Sequence, residues 1–168
     1  MMTIVSADLA DGETGRRLGG LLQSYHRQTE LEKAANGVGL LTGDGLLPRK
    51  YQEEIDCPAE AFAWSRVFIA QQDVRPVGMV VLTPSGGAAS EVKRLWVEPS
   101  VRGAGVGSAL LNEAILAAQA DNAEAVRLTV WEWREPAVRS YLRLGFRMVP
   151  SWEERMALQC MELRLPAG

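Results

Sequence analysis

Seven residues past the middle of the chain, Arg102-Gly103-Ala104-Gly105-Val106-Gly107-Ser108, set three glycines at alternate positions behind an arginine. Bare backbone lets a ligand approach the main chain closely, and a helix starting here adds unpaired N–H groups and the positive end of its dipole. Such a segment suits a phosphate. From Lys93 to Ser108 three cations, Lys93, Arg94 and Arg102, stand against one acid, Glu98, in a chain that carries 18 Lys+Arg against 21 Asp+Glu. A Walker loop needs Gly-Lys-Ser/Thr, and Gly107-Ser108 offers no lysine; a dinucleotide fingerprint needs GxGxxG, and Ser108 stands where the third glycine belongs. Both of those phosphate chemistries are therefore disfavoured.

Other chemistries have little to work with. His26 is the single histidine, so a Ser-His-Asp triad could form only around it, and no GxSxG elbow exists. Alone in an amphipathic helix, His26 reads as structural. Cys57 and Cys160 make neither a disulfide framework nor a CxxC pair, which fits a reducing, cytoplasmic setting without a zinc site. Trp131 and Trp133 share a strand parity with Glu132 between them; such a group receives a cationic amine or belongs to a core or interface.

The elements that must position these residues follow from hydrophobic periodicity. Residues 3–8 read as a strand, Asp11-Gly12-Glu13 starts a helix carrying Leu18, Leu21, Leu22 and Tyr25 to about Lys33, and residues 36–45 form a glycine-rich loop. Pro48 opens a second helix to about Ile55, which Cys57-Pro58 ends. The β-branched runs 66–70 and 76–82 predict a hairpin, the turn Thr83-Pro84-Ser85-Gly86-Gly87 follows, and 91–97 predicts a third antiparallel strand. Residues 105–120 present the helical face Val106, Leu110, Leu111, Ala114, Ile115 and Ala118, and 126–130 is a strand again, implying a parallel crossover. Glu135-Pro136 begins a last helix closed by Gly145, and 146–149 and 156–165 are closing strands. The class is α/β (α+β): a mixed central sheet of about six to seven strands with helices on both faces.

At 168 residues and 47% hydrophobic the chain suffices for one domain, 1–168, and its net charge of -3 gives no general attraction to nucleic acid. Met1 to Ser6 shows no basic region leading into an apolar run, and no segment approaches the ~20 apolar residues of a membrane span. A soluble, unexported protein is expected.

The stretch Arg102-Gly103-Ala104-Gly105-Val106-Gly107, preceded by Leu95-Trp96-Val97-Glu98-Pro99 and followed by Ala137-x-x-x-Tyr141-x-x-x-Gly145-Phe146, resembles the GNAT superfamily of acyl-CoA N-acyltransferases. The resemblance covers about Phe68 to Phe146. It implies an N-acetyltransferase domain using acetyl-CoA as co-substrate, with the pyrophosphate on the amides of Arg102 to Ser108 and the pantetheine arm along the backbone of Leu95, Trp96 and Val97. The acceptor it implies is a primary amine of a small molecule, attacking directly with no metal. The family often carries its glutamate base where Glu91 stands, with Glu98 and Glu132 in reserve here, and a tyrosine near the departing sulfur where Tyr141 stands, which is expected to hydrogen-bond or protonate the thiolate as general acid. The 36–45 loop is expected to cover the acceptor, and a homodimer is plausible by analogy. One departure is Arg134, where the family often has Asn. Two other readings stay open: transfer to a protein N-terminus or lysine, and a non-catalytic acyl-CoA-binding sensor.

Overall fold

The computed structural model describes residues 1–39, 45–84 and 88–166. Seven strands make one sheet in the order β1-β2-β3-β4-β5-β7-β6, with β1 Met2–Ser6, β2 Arg66–Gln72, β3 Arg75–Pro84, β4 Ala89–Val97, β5 Ala125–Trp131, β6 Arg147–Val149 and β7 Leu158–Arg164. β4 and β5 are parallel neighbours and every other pairing is antiparallel. β7 turns back to lie between β5 and β6, so the closing hairpin enters the sheet with its second strand inside. The expected mixed sheet and its strand count are observed.

Helices cover both faces. α4, Val106–Ala120, buries Val106, Leu110, Leu111, Ala114 and Ala118 against Val80, Leu82, Val92 and Leu128. On the opposite face α1, Gly12–Ala35, buries Leu18, Leu21 and Leu22 against Ile69, Met79, Val81 and Trp96. Asp11 caps α1 as the sequence suggests, its carboxylate accepting from the Thr14 N–H at 3.0 Å. α2, Arg49–Asp56, starts one residue later than expected, because Pro48 takes the N-cap position. Pro58 stops α2 yet opens the single turn α3, Pro58–Ala61, since a proline is tolerated at a first helical position. α5, Glu135–Arg143, leads to Gly145 at φ 101°, the left-handed C′ position expected of it.

Residues 40–44 of the glycine-rich loop and 85–87 of the β3–β4 turn lie outside the described residues. Among the described residues no helix is long and apolar enough to cross a membrane, and no group of three or more His, Cys, Asp or Glu side chains is placed to hold a metal ion.

Candidate active site

A break in the sheet makes the site. β4 and β5 pair only from Ala89↔Ala125 to Val92↔Leu128, and beyond that point no ladder joins them. The divergence coincides with a bulge: β4 pairs Lys93 with Val81 and then Trp96 with Met79, so Arg94 and Leu95 together oppose Val80. Arg94 sits at φ 55°, an uncommon conformation for a non-glycine residue. The extra residue flips the strand's parity. Val92 faces the α4 side, whereas Trp96, four residues on, faces α1, and Leu95 and Val97 pack on the α4 side instead. A cleft of about 900 Å³ occupies the split.

One wall is the glycine segment. After Val97 the chain makes a 3-10 turn at Pro99–Val101, and Gly103 at φ 84° and Gly105 at φ 83° then swing it into α4. Gly105 is the N-cap and supplies no side-chain acceptor, so the first N–H groups of α4 face the cleft without a cap. Arg102 steadies the turn by donating from Nε to the Val97 carbonyl at 2.9 Å and lying over the Trp96 ring, 4.8 Å from its centroid. Leu95, Trp96, Val97, Arg102, Gly103, Gly105, Val106, Gly107 and Ser108 line the cleft; Ala104 is exposed and does not.

Of the candidate acids, Glu91 lines the cleft, with the Lys93 Nζ 3.9 Å from its Oε2. Glu98 does not, and Glu132 borders a separate hollow with Val138, Arg139 and Met148. Tyr141 lines the cleft from α5, its ring tilted against Phe146 at 5.8 Å. Burial pushes its phenol up to about 12, and its hydroxyl has no hydrogen-bond partner among the described residues.

The remaining wall gathers residues that spacing did not reveal. Arg94 reaches across to α2 and grips Glu54 with two hydrogen bonds, Nε to Oε1 at 3.0 Å and Nη2 to Oε2 at 2.7 Å. His26 completes this cluster: its Nε2 lies 2.9 Å from Glu54 Oε1 and its ring stacks on Tyr51 at 4.2 Å. Burial pushes the Glu54 carboxyl up, but the hydrogen bonds from His26 and Arg94 outweigh that and bring it down to about 2. Burial lowers His26 despite the Glu54 hydrogen bond, so a neutral ring with its proton on Nε2 donates to an ionised carboxylate. The structural reading of His26 stands, with the addition that it helps hold the bulge.

Arg134 is turned toward α1. Its Nε donates to Glu32 Oε1 at 2.8 Å and its Nη2 to Thr29 Oγ1 at 2.9 Å, and Trp133 Nε1 donates to the same Glu32 oxygen at 2.9 Å. The departure from the family's Asn thus serves as a strut between the start of α5 and the end of α1. The Trp131 and Trp133 rings stack at 4.9 Å, but Trp131 is buried under Lys33 and Arg155, whose cationic groups lie 5.9 Å and 6.0 Å from its centroid. Trp131 is thus occupied by the protein's own cations and by Trp133, and neither tryptophan lines the cleft. No local signal announced Glu54, Tyr51 or Glu32, because the contacts that define them, such as Glu54 with His26 and Glu32 with Arg134, span 28 and 102 positions of sequence, and Tyr51 meets His26 from another helix.

An α/β sheet splayed between parallel neighbours over an uncapped, glycine-entered helix defines a protein with a cleft suited to a phosphate-bearing ligand. The Acetyltransferase (GNAT) family matches residues 42–146, and the chain belongs to that family. An uncharacterized N-acetyltransferase of Methanocaldococcus jannaschii is 31% identical over 94 residues, which cover 51% of this chain and 42% of that protein. The matched part is thus less than half of that relative's length. An acetyltransferase of the GNAT family from Staphylococcus aureus superposes with a TM-score of 0.73 at 16% identity, covering 99% of this chain and 100% of that one. PaiA N-acetyltransferase from Thermoplasma acidophilum, solved in complex with coenzyme A, gives a TM-score of 0.73 at 18% identity over 98% and 99%. At those identities the two structures speak to the fold.

Proposed function

We propose that the protein transfers the acetyl group of acetyl-CoA to a primary amine of a small molecule by direct attack. The observation that carries this reading is the β4–β5 split, which joins the uncapped start of α4 to a chamber lined by the carboxylate of Glu91 and the phenol of Tyr141. In this reading the N–H groups of Val106, Gly107 and Ser108 receive the pyrophosphate, and the unladdered backbone of Leu95 to Val97 receives the pantetheine amides.

Gly105→Val tests the cradle. A Cβ at Gly105 meets nothing within 4 Å, so the free protein has room for the side chain; the cost is the left-handed backbone, about 1–2 kcal/mol for a residue with a Cβ. Isothermal calorimetry should show acetyl-CoA affinity weakened by about tenfold or more as that turn relaxes. Unchanged affinity sinks the assignment.

An alkyl amine of pKa about 10.4 is only about 0.04% neutral at pH 7, so attack on the thioester needs a proton acceptor. Glu91 takes that part: the nitrogen lone pair forms the new N–C bond, the C–S bond breaks, and the nitrogen's proton passes to the carboxylate directly or through water. Glu91→Gln is expected to lower kcat by about a hundredfold in steady-state assays, within the usual range for a removed general base. Turnover and pH profile left intact would remove Glu91 from the mechanism. Release of free CoA across amine and peptide panels tests the function itself; saturable acetyl-CoA binding without transfer to any amine would make the protein a sensor instead.

A further inference from the structure

All three tyrosines of the chain, Tyr25, Tyr51 and Tyr141, line the cleft, interleaved with Arg94, Arg134 and Arg155. Arg94 lies over the rings of Tyr25 and Tyr51, 5.7 Å from each centroid, while Arg134, Arg155 and Tyr141 line the same cleft. They come from five different segments: α1, α2, β4, the ends of α5 and the β6–β7 connection. Every carboxylate near this group is already engaged. Glu54 holds Arg94 and His26, Glu32 holds Arg134 and Trp133, and Glu153 holds Arg155 through Nε at 3.0 Å and Nη2 at 2.8 Å.

In each of the three arginines those bonds use Nε and Nη2. Nη1 has no hydrogen-bond partner among the described residues in any of them. A guanidinium donates only, and a phenol of this kind has a proton to give, so the chamber presents donors and positive charge. Across the cleft as a whole six cations face three carboxylates. A second ammonium on the acceptor would find no carboxylate without a cation already beside it, since Glu91 has the Lys93 Nζ at 3.9 Å, and no free aromatic face on Trp131.

We propose, building on the acetyl-transfer reading above, that the acceptor is an amine carrying its own carboxylate, with that carboxylate held by the Nη1 groups of Arg94, Arg134 and Arg155 among the tyrosine hydroxyls. The same positive surroundings disfavour the ammonium form of the amine, which helps to deliver a neutral nucleophile. A polyamine is the opposite substrate class.

The test compares kcat/KM for a set of L-amino acids, their carboxamides and spermidine, and repeats it with Arg155→Gln and Arg134→Gln. Arg155 is half exposed in a connection, and the one core residue it covers, Trp131, keeps Trp133 and Lys33 against it when Arg155 is replaced. Amino acids should exceed their carboxamides by about tenfold, the worth of one charge-assisted hydrogen bond, and the substitutions should collapse that ratio through KM. Calorimetry of N-acetyl amino acids against their amides reads the same preference without turnover. If no amine is acetylated but the N-acetyl carboxylates still bind preferentially, the transfer reading falls and the anion site stands. Equal rates on amino acid and carboxamide, faster turnover of spermidine, or a ratio that survives both substitutions would each overturn the proposal.

Discussion

Tyr141→Phe should lower kcat by about ten- to a hundredfold while acetyl-CoA affinity changes little, because the lost hydrogen bond is made to charge that develops only as the C–S bond breaks. An unperturbed phenol near 10 facing a thiol near 8.5 would give up its proton for about 2 kcal/mol. Burial changes that arithmetic. With the phenol pushed up to about 12, full transfer to the thiolate is uphill by about 5 kcal/mol. Tyr141 is then better suited to steadying the departing sulfur with a strong hydrogen bond than to releasing its proton early. It also stays protonated throughout the working range, so any alkaline limb of the pH-rate profile below about pH 11 should persist in Tyr141→Phe. Rapid-quench single-turnover rates check the first expectation, and the two pH profiles check the second. Unaltered turnover would reduce Tyr141 to a packed ring against Phe146.

Glu54→Ala should destabilise the fold by about 3–5 kcal/mol, since it leaves the Arg94 guanidinium among Tyr25 and Tyr51 with no counter-charge. Its proton linkage gives a second readout. The Glu54 carboxyl stands at about 2 in the folded protein against an ordinary 4.5, so its stabilising contribution is complete above 4.5 and is lost as the pH falls toward about 2. That loss is of the order of 3 kcal/mol by the same linkage. His26 starts the decline earlier. Held below its ordinary 6.5 by burial, it lets the unfolded chain take up a proton first, and stability begins to fall as pH drops through about 6.5. Urea midpoints measured from pH 7 to pH 3 should slope for the natural protein and slope less below 4.5 for Glu54→Gln, the remainder coming from Asp11, Glu32 and Glu153, whose carboxyls are also held low. Parallel curves would mean that the cluster contributes nothing to folding. Because Glu54 fixes the Arg94 bulge, Glu54→Gln should also raise the acceptor KM more than it lowers kcat.

Much of the fold was readable in advance because it rests on local signals. Asp11 with Thr14, Pro48, Pro58 and Gly145 act within one turn of backbone, and the apolar face of α4 repeats within its own helix. The glycine turn into α4 was equally legible, since Gly103 and Gly105 stand where the left-handed backbone needs them and the helix follows directly. The bulge was not. Nothing in Lys93-Arg94-Leu95 breaks the pattern of a strand, and alternation would place Val92 and Trp96 on one face, whereas Arg94 puts them on opposite faces.

The sequence by itself determined the element order, the mixed character of the sheet, the glycine-entered helix and the residues that resemble a cofactor-binding loop. Each depends on neighbours within a few positions, where dihedral preference and periodicity act. Tertiary structure alone decided the insertion of β7 between β5 and β6, the split beyond Val92, the use of Arg134 as a strut, and the gathering of three tyrosines and three arginines at one mouth. Those features depend on pairs such as Glu32 with Arg134 and Glu54 with Arg94, separated by 102 and 40 positions. A charged residue read locally is a solvated surface group; only the packing of α1 and α2 across β4 removes the water and makes each of them choose a partner.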